Sequence, residues 1–485
     1  MKLAIVHYHL RRGGVTRVIE TALESLARSG DEFETVVLTG EMPGELSPLS
    51  KCSRCLPGLA YRNEIAGIGE AEHLVSELRR VATEALGGEP DLWHFHNHSL
   101  AKNVAMPAVI QRLAAEGARL LLQIHDFAED GRPENFRRQC AAANPAEIPW
   151  YPIAPQIQYA VLNQRDAGYL AAAGLPNDRL HLLPNAVASL PCEPATSAPI
   201  FVRKGQRFLL YPTRGIRRKN LGELLLLAAL SNDEVAFAST LAPENPEWLA
   251  IHERWENFAA RHRLPVRLGI GADPAISFAG LVGAADAMVT TSVAEGFGLA
   301  FLEPWLAGKA IRGRDLPEIT ADFSKRGISL DGLYRRLEVP TAWVDLDRFR
   351  DRLGETLPQT FASYGRELPS DAIDTAYAAA VSASGVDFGR LDEPLQEQVL
   401  ETLLADPSKL RSEVELPDLA PAPEECIAQN AQAISESYGL AAYGERLGNL
   451  YRQILRQEAE IPRHLDGQRL LDAFLDPSRF TLLRS

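Results

Sequence analysis

The feature that most narrows the possible folds is an alternation of strand-like and helix-like stretches that runs through the first 190 residues, stops, and starts again. LAIVHY (3–8), FETVVLT (33–39), LWHFH (92–96), RLLLQIHD (119–126), QYAVLN (158–163) and RLHLLPN (179–185) read as short apolar strands. Helical spacing marks VTRVIETALESLAR (15–28), HLVSELRRVATEAL (73–86), AVIQRLAAEG (108–117) and RDAGYLAAAG (165–174) between them. Strands that alternate with helices predict a parallel sheet covered on both faces. Residues 189–200, SLPCEPATSAPI, read as a linker. The pattern resumes with strands at RFLLYPT (207–213), EVAFAST (234–240), PVRLGI (265–270) and DAMVTTS (286–292), and helices at KNLGELLLLAALS, EWLAIHERWENFAARH and LAFLEPWLAG (299–308).

Two doubly wound α/β domains are therefore expected. The first spans 1–190. The second spans 200–437 and holds a largely helical insertion near 330–430 to which no sheet is assigned. The amphipathic YGLAAYGERLGNLYRQIL (438–455) opens a last segment, 438–485, expected to return to the first domain. A chain of 485 residues exceeds one ordinary core, and 46% hydrophobic with 24% charged residues is a globular composition. The longest apolar run, LGELLLLAAL, is too short to span a bilayer, and the N-terminal MKLAIVHYHL reads as a buried strand. A formal net charge of −14 argues against nucleic acid or an anionic membrane as the main partner. Five irregularly spaced cysteines suggest free thiols in a cytoplasmic protein, the single pair Cys52 and Cys55 included.

Ligands of doubly wound folds bind beyond the carboxyl ends of the strands, and there the chemistry-bearing residues gather. In SVAEGFGLAFLEPWLAGKAI (292–311) a strand end leads through glycines into a helix. Glu295 lies in the turn and Glu303 inside the helix. Amides of Gly296, Phe297 and Gly298 near a helix N-terminus suit an anion or hydroxyl oxygens, and a carboxylate can accept from two vicinal hydroxyls. In YPTRGIRRKN (211–220), Arg214, Arg217, Arg218 and Lys219 crowd a strand end of an acidic protein. Cations there oppose the helix dipole unless an anion is bound. A Gly13–Gly14 turn follows the first strand, and Gln123-Ile124-His125-Asp126 closes another. DLWHFHNH (91–98) places His94, His96 and His98 at alternate positions, a spacing that on a strand could present three imidazoles to a metal.

These elements occur together in one order, and EGFGLAFLE carries Glu295-x7-Glu303. The chain thus resembles, over most of residues 1–320, retaining nucleotide-sugar glycosyltransferases of the GT-B fold, especially glycosyltransferase family four. The resemblance implies two Rossmann-like domains facing an interdomain cleft, with the acceptor on the first and the donor on the second. It implies Glu303 on the donor ribose, Glu295 on the sugar hydroxyls, and the Gly296–Gly298 amides along the sugar and phosphate. Arg214 and Lys219 would neutralise the diphosphate, with Arg217 and Arg218 at the surface. Gly14 would approach donor phosphate, and His125, oriented by Asp126, would contact the transferred sugar. His96 falls to the acceptor side. Such enzymes bind no metal or resident cofactor; the donor is a nucleoside diphosphate sugar and the acceptor a hydroxyl compound, expected to be soluble. Ala186 stands where the family has Gly after Asn185, and the usual glycine pair before Pro317-Glu318 is missing. A GT-B glycoside phosphorylase and an inactive sugar-nucleotide-binding protein share much of this pattern. Sugar, base, acceptor and oligomeric state, a homo-oligomer included, stay open.

Overall fold

The computed structural model describes residues 1–484 except 12, 29–32, 63–67, 143–149, 195–198, 232 and 274–275. Arg12 and part of the 189–200 stretch thus lie outside the described residues. The chain forms two units. One comprises 1–186, 363–366 and 438–475; the other comprises 187–362, 367–437 and 476–485.

The first unit is built on seven strands: β1 (Lys2–His7), β2 (Glu34–Thr39), β3 (Ser53–Cys55), β4 (Leu92–His96), β5 (Leu120–Ile124), β6 (Ile157–Val161) and β7 (Leu180–Leu182). They lie in the order β3-β2-β1-β4-β5-β6-β7, every neighbour parallel. Strands β4, β5 and β6 are buried along their whole length, which is why they read as near-continuous apolar runs. Alternate residues feed two cores. Leu3 and Ile5 face one with Leu121, and Ala4 and Val6 face the other with Leu120 and Leu122. Helix Leu440–Leu455 packs on helix Gly14–Arg28 and joins the first of these cores through Tyr443, Leu447 and Tyr451.

The second unit has six strands: β8 (Arg207–Arg214), β9 (Val235–Leu241), β10 (Val266–Arg267), β11 (Ala287–Thr290), β12 (Ile311–Arg314) and β13 (Leu333–Tyr334). Their order is β10-β9-β8-β11-β12-β13, again all parallel. Helix Leu221–Leu230 is buried on all sides, which explains a run with no polar face. It packs against helices Pro246–Arg261 and Glu393–Ala405.

The 330–430 region is mostly helical, with helices Leu346–Ser363, Ala372–Ala380, Glu393–Ala405 and Glu424–Tyr438. It also contributes β13 and an antiparallel pair, Glu338–Val339 with Val386–Asp387, where no sheet was expected. An ionic cluster fastens this region to the second sheet. Arg314, at the end of β12, donates to Glu223 at 2.6 and 2.9 Å and to Asp387 at 2.8 and 3.3 Å. Tyr334 adds a bond to Glu223 at 2.8 Å. Arg314, Glu223 and Asp387 are buried, and Tyr334 is half-buried.

Candidate active site

In both sheets the chain starts near the middle, works to one edge, then returns and crosses to the other side. The switch falls between β1 and β4 in the first sheet and between β8 and β11 in the second. Diverging connections leave a crevice at the carboxyl ends of such strand pairs. Most of the residues singled out above fall at these two positions.

At the second switch point, β8 ends at Arg214 and leads through Gly215 into a 3₁₀ turn, Arg217–Lys219. Asn220, left-handed at φ 52°, starts the buried helix. The facing strand secures this turn. Thr291 Oγ1 donates to the carbonyls of Lys219 and Asn220 at 2.9 and 3.0 Å, and Val293 N donates to the Arg218 carbonyl at 2.9 Å. Ser292 Oγ bridges the Arg218 and Ala294 carbonyls. Beyond Ala294 comes Glu295, whose carboxylate accepts from Lys219 Nζ and, at 3.1 Å, from Arg218 Nη1. Burial alone would raise the Glu295 carboxyl, but Lys219 and Arg218 outweigh it and hold it below its ordinary range. Burial lowers the Lys219 ammonium against the pull of Glu295.

Arg214 reaches the Ala242 carbonyl at 3.3 Å and Glu244 at 2.7 Å. Arg217 forks onto Glu393 at 2.7 and 2.9 Å. The surface assignment of Arg217 and Arg218 is therefore corrected: both are partly buried and ion-paired, because the turn directs Arg217 to the insertion and Arg218 to Glu295. The helix expected at 299–308 is also shorter than its sequence suggests. Leu299–Phe301 is a 3₁₀ turn, and the α-helix runs only from Glu303 to Leu306, so Glu303 heads it instead of lying inside. Pro304 has no amide hydrogen and fits only the first turn of a helix. Gly298 sits at φ 89°, and a Cβ there would lie 2.8 Å from the Phe301 ring. The Phe297 side chain is buried against Phe323, so only its main chain is available to a ligand.

At the first switch point, the opening histidines separate. His94 is sealed in the core, with Nδ1 2.8 Å from Tyr451 Oη and Nε2 3.0 Å from Gln123 Oε1. His96 Nδ1 lies 2.9 Å from His125 Nε2, the two rings stacked 11° from parallel. Asn97 takes a left-handed conformation at φ 55° and ends the alternation, so His98 turns to the Trp150 carbonyl at 2.9 Å. Burial holds His7 and His94 near pKa 3 and His98 and His125 near 4. His96 is likewise pushed far down by burial and its imidazole neighbours. These rings are neutral at pH 7. Among the described residues no group of three or more His, Cys, Asp or Glu side chains is arranged to hold a metal ion. Asp126 does not orient His125 by a hydrogen bond: its carboxylate takes Arg132, and Asn97 Oδ1 accepts from the main chain of both His125 and Asp126. Gly13 and Gly14 lie exposed at the start of helix Gly14–Arg28, with open space about the Gly14 Cα.

Sequence reasoning passed over Thr291 and Ser292, which hold the basic turn, and Asn97, which holds the loop after β5. A Thr-Ser pair directly after an apolar strand was the available signal for the first two.

Comparison with known proteins adds the following. No protein-family profile matches the chain. A mannosylglucosyl-3-phosphoglycerate synthase from Petrotoga mobilis is 26% identical over 385 residues, covering 73% of this chain and 72% of its own. The sucrose-phosphate synthase of Thermosynechococcus elongatus superposes with a TM-score of 0.51 at 15% identity, over 93% of this chain and 98% of that one. The Anabaena protein HepE, in complex with UDP-glucose, gives 0.50 at 14% identity, over 93% and 99%. The chain has the GT-B fold. Among the described residues no helix of the chain is long and apolar enough to cross a membrane.

Proposed function

We propose that the chain is a glycosyltransferase, which takes a sugar from a nucleoside diphosphate sugar held on the second unit and places it, with retention at the anomeric carbon, on a hydroxyl acceptor held on the first. The observation that carries the reading is the Glu295 carboxylate gripped by Lys219 and Arg218 at the β8/β11 switch point. A sugar hydroxyl that donates to Glu295 would loosen that grip and leave the Lys219 ammonium to a phosphate oxygen. The leaving diphosphate gains negative charge as the glycosidic bond breaks, so preorganised cations favour the transition state over the ground state. Arg214 and Lys219 take that role, and Glu303 meets the ribose hydroxyls. The amides of Gly296, Phe297 and Gly298, with Gly14 on the first unit, approach the donor. His125 contacts the transferred sugar. The acceptor oxygen bonds to the anomeric carbon as the carbon–oxygen bond to phosphate breaks on the same face, and the acceptor proton passes to the departing phosphate. Side-chain cations supply the charge that a divalent ion would otherwise carry, so no metal is needed. The five cysteines, all unpaired, fit a reducing, cytoplasmic location.

A ligand that binds only the folded state raises its melting temperature. In a thermal-shift series of UDP-, GDP- and ADP-sugars, with UDP-glucose tried first, at least one donor should give a clear rise, undiminished by a chelator. No shift with any of them would reject the donor site. A shift abolished by chelation would reject metal independence.

A further inference from the structure

A second concentration of positive charge lies wholly on the first unit, in loops at the carboxyl ends of its strands. Lys102 follows β4, and its Nζ stands 5.2 Å from the centre of the Tyr61 ring. Its carbonyl accepts from Arg62 N at 2.8 Å, which ties the loop after β4 to the segment after β3. Tyr61 Oη lies 2.8 Å from Nε2 of His9, two residues beyond β1. After β5, helix Pro133–Ala142 carries Arg138, whose Nη1 reaches the Ala101 carbonyl at 3.4 Å. Ala101 is fully buried at φ 56°, a conformation unfavourable to a non-glycine residue that persists only where surroundings impose it. That conformation sets the direction of Lys102. Arg132 stands in the same group but is engaged by Asp126.

Three cations gather here around one carboxylate, Asp126, which is paired with Arg132. Among the described residues neither Lys102 nor Arg138 has a carboxylate within ion-pair distance. Lys102 is half-buried, and burial followed by the charges of Arg138 and Arg132 depresses its ammonium against the weaker pull of Asp126. A cation–π contact at a partly exposed ring offsets little of that repulsion. In a chain of net charge −14, cations that repel one another beside a switch point are best accounted for by an anion that arrives with the ligand.

We infer that Lys102 and Arg138, with Tyr61 and His9 beside them, form a subsite for a phosphate or carboxylate borne by the acceptor. This rests on the transferase reading above, since it names the class of acceptor: a hydroxyl compound that is also an anion.

Calorimetry on the full chain at low ionic strength, with glycerol 3-phosphate, glycerate and glycerol as probes, tests it. At least one of the two anions should bind where glycerol does not; which one binds tells phosphate from carboxylate. Lys102→Met and Arg138→Met should each weaken the anion by roughly tenfold, as expected for a lost charge-assisted hydrogen bond. Lys102→Arg should retain it, with circular dichroism and melting temperature showing all three variants folded. Binding of the anions no tighter than glycerol would overturn the inference. So would anion binding lost in Lys219→Met yet unchanged in Lys102→Met. UDP and GDP titrations on the same samples separate the two readings. Nucleotide binding without a Lys102-dependent anion rejects the subsite alone, and a Lys102-dependent anion without nucleotide binding rejects the donor site alone.

Discussion

At the scale of single residues, the Lys219–Glu295 pair makes two predictions. Lys219→Ala should lower turnover by roughly two to three powers of ten, as for loss of a main charge stabiliser; steady-state kinetics with the donor found by thermal shift measures it. Glu295→Gln should behave differently. It removes the partner of the sugar hydroxyls but leaves the phosphate cations, so affinity for the free nucleotide should hold. Affinity for the intact sugar nucleotide should fall by about tenfold or more. Equal loss for both ligands would show that Glu295 does not face the sugar. These residues were legible because their types are unusual for their places: four cations at one strand end of an acidic chain, and a carboxylate among glycines. What the sequence hid was their pairing. Nothing in RRKN says that Arg217 turns to Glu393, 176 positions away, while Arg218 and Lys219 turn to Glu295.

At the scale of elements, β12 shows where hydropathy fails. Its sequence, IRGR, has no apolar alternation, yet all four residues are buried. Arg312 spends its charge on the Ala420 carbonyl, and Arg314 on Glu223 and Asp387. Gly313, at φ 110°, allows β12 to lie so close to β11 that a Cβ would sit 2.0 Å from the Thr290 carbonyl oxygen. Strands β4, β5 and β8 were plain to read because burial on both faces selects continuous apolar runs. Strand β12 was not, because its charges are neutralised by partners 91 and 73 residues distant. Arg314→Met would strand two buried carboxylates and should cost about 3–5 kcal/mol. Urea unfolding of the variant, compared with an Arg314→Met, Glu223→Gln, Asp387→Asn triple variant that regains part of the loss, measures it.

At the scale of the whole molecule, the buried histidines set a limit in acid. Each has a folded-state pKa well below the unfolded value of about 6.5. Such groups contribute stability that is complete above about pH 6.5 and is lost as pH falls toward the folded values near 3 to 4. The melting temperature should therefore be level near neutrality and decline below about pH 6, with proton uptake on unfolding. A flat profile down to pH 4 would show that these rings are not buried as neutral imidazoles.

The packing of residues 438–475 onto the first unit also bears on the order of synthesis. A ribosome releases 1–186 long before Tyr451 exists to occupy His94 Nδ1, or Leu447 to close the space beside Ile19. The nascent first half must wait, its sheet open on one side, through the making of some 250 further residues. The portion translated later holds nearly all its own partners and is free to settle first.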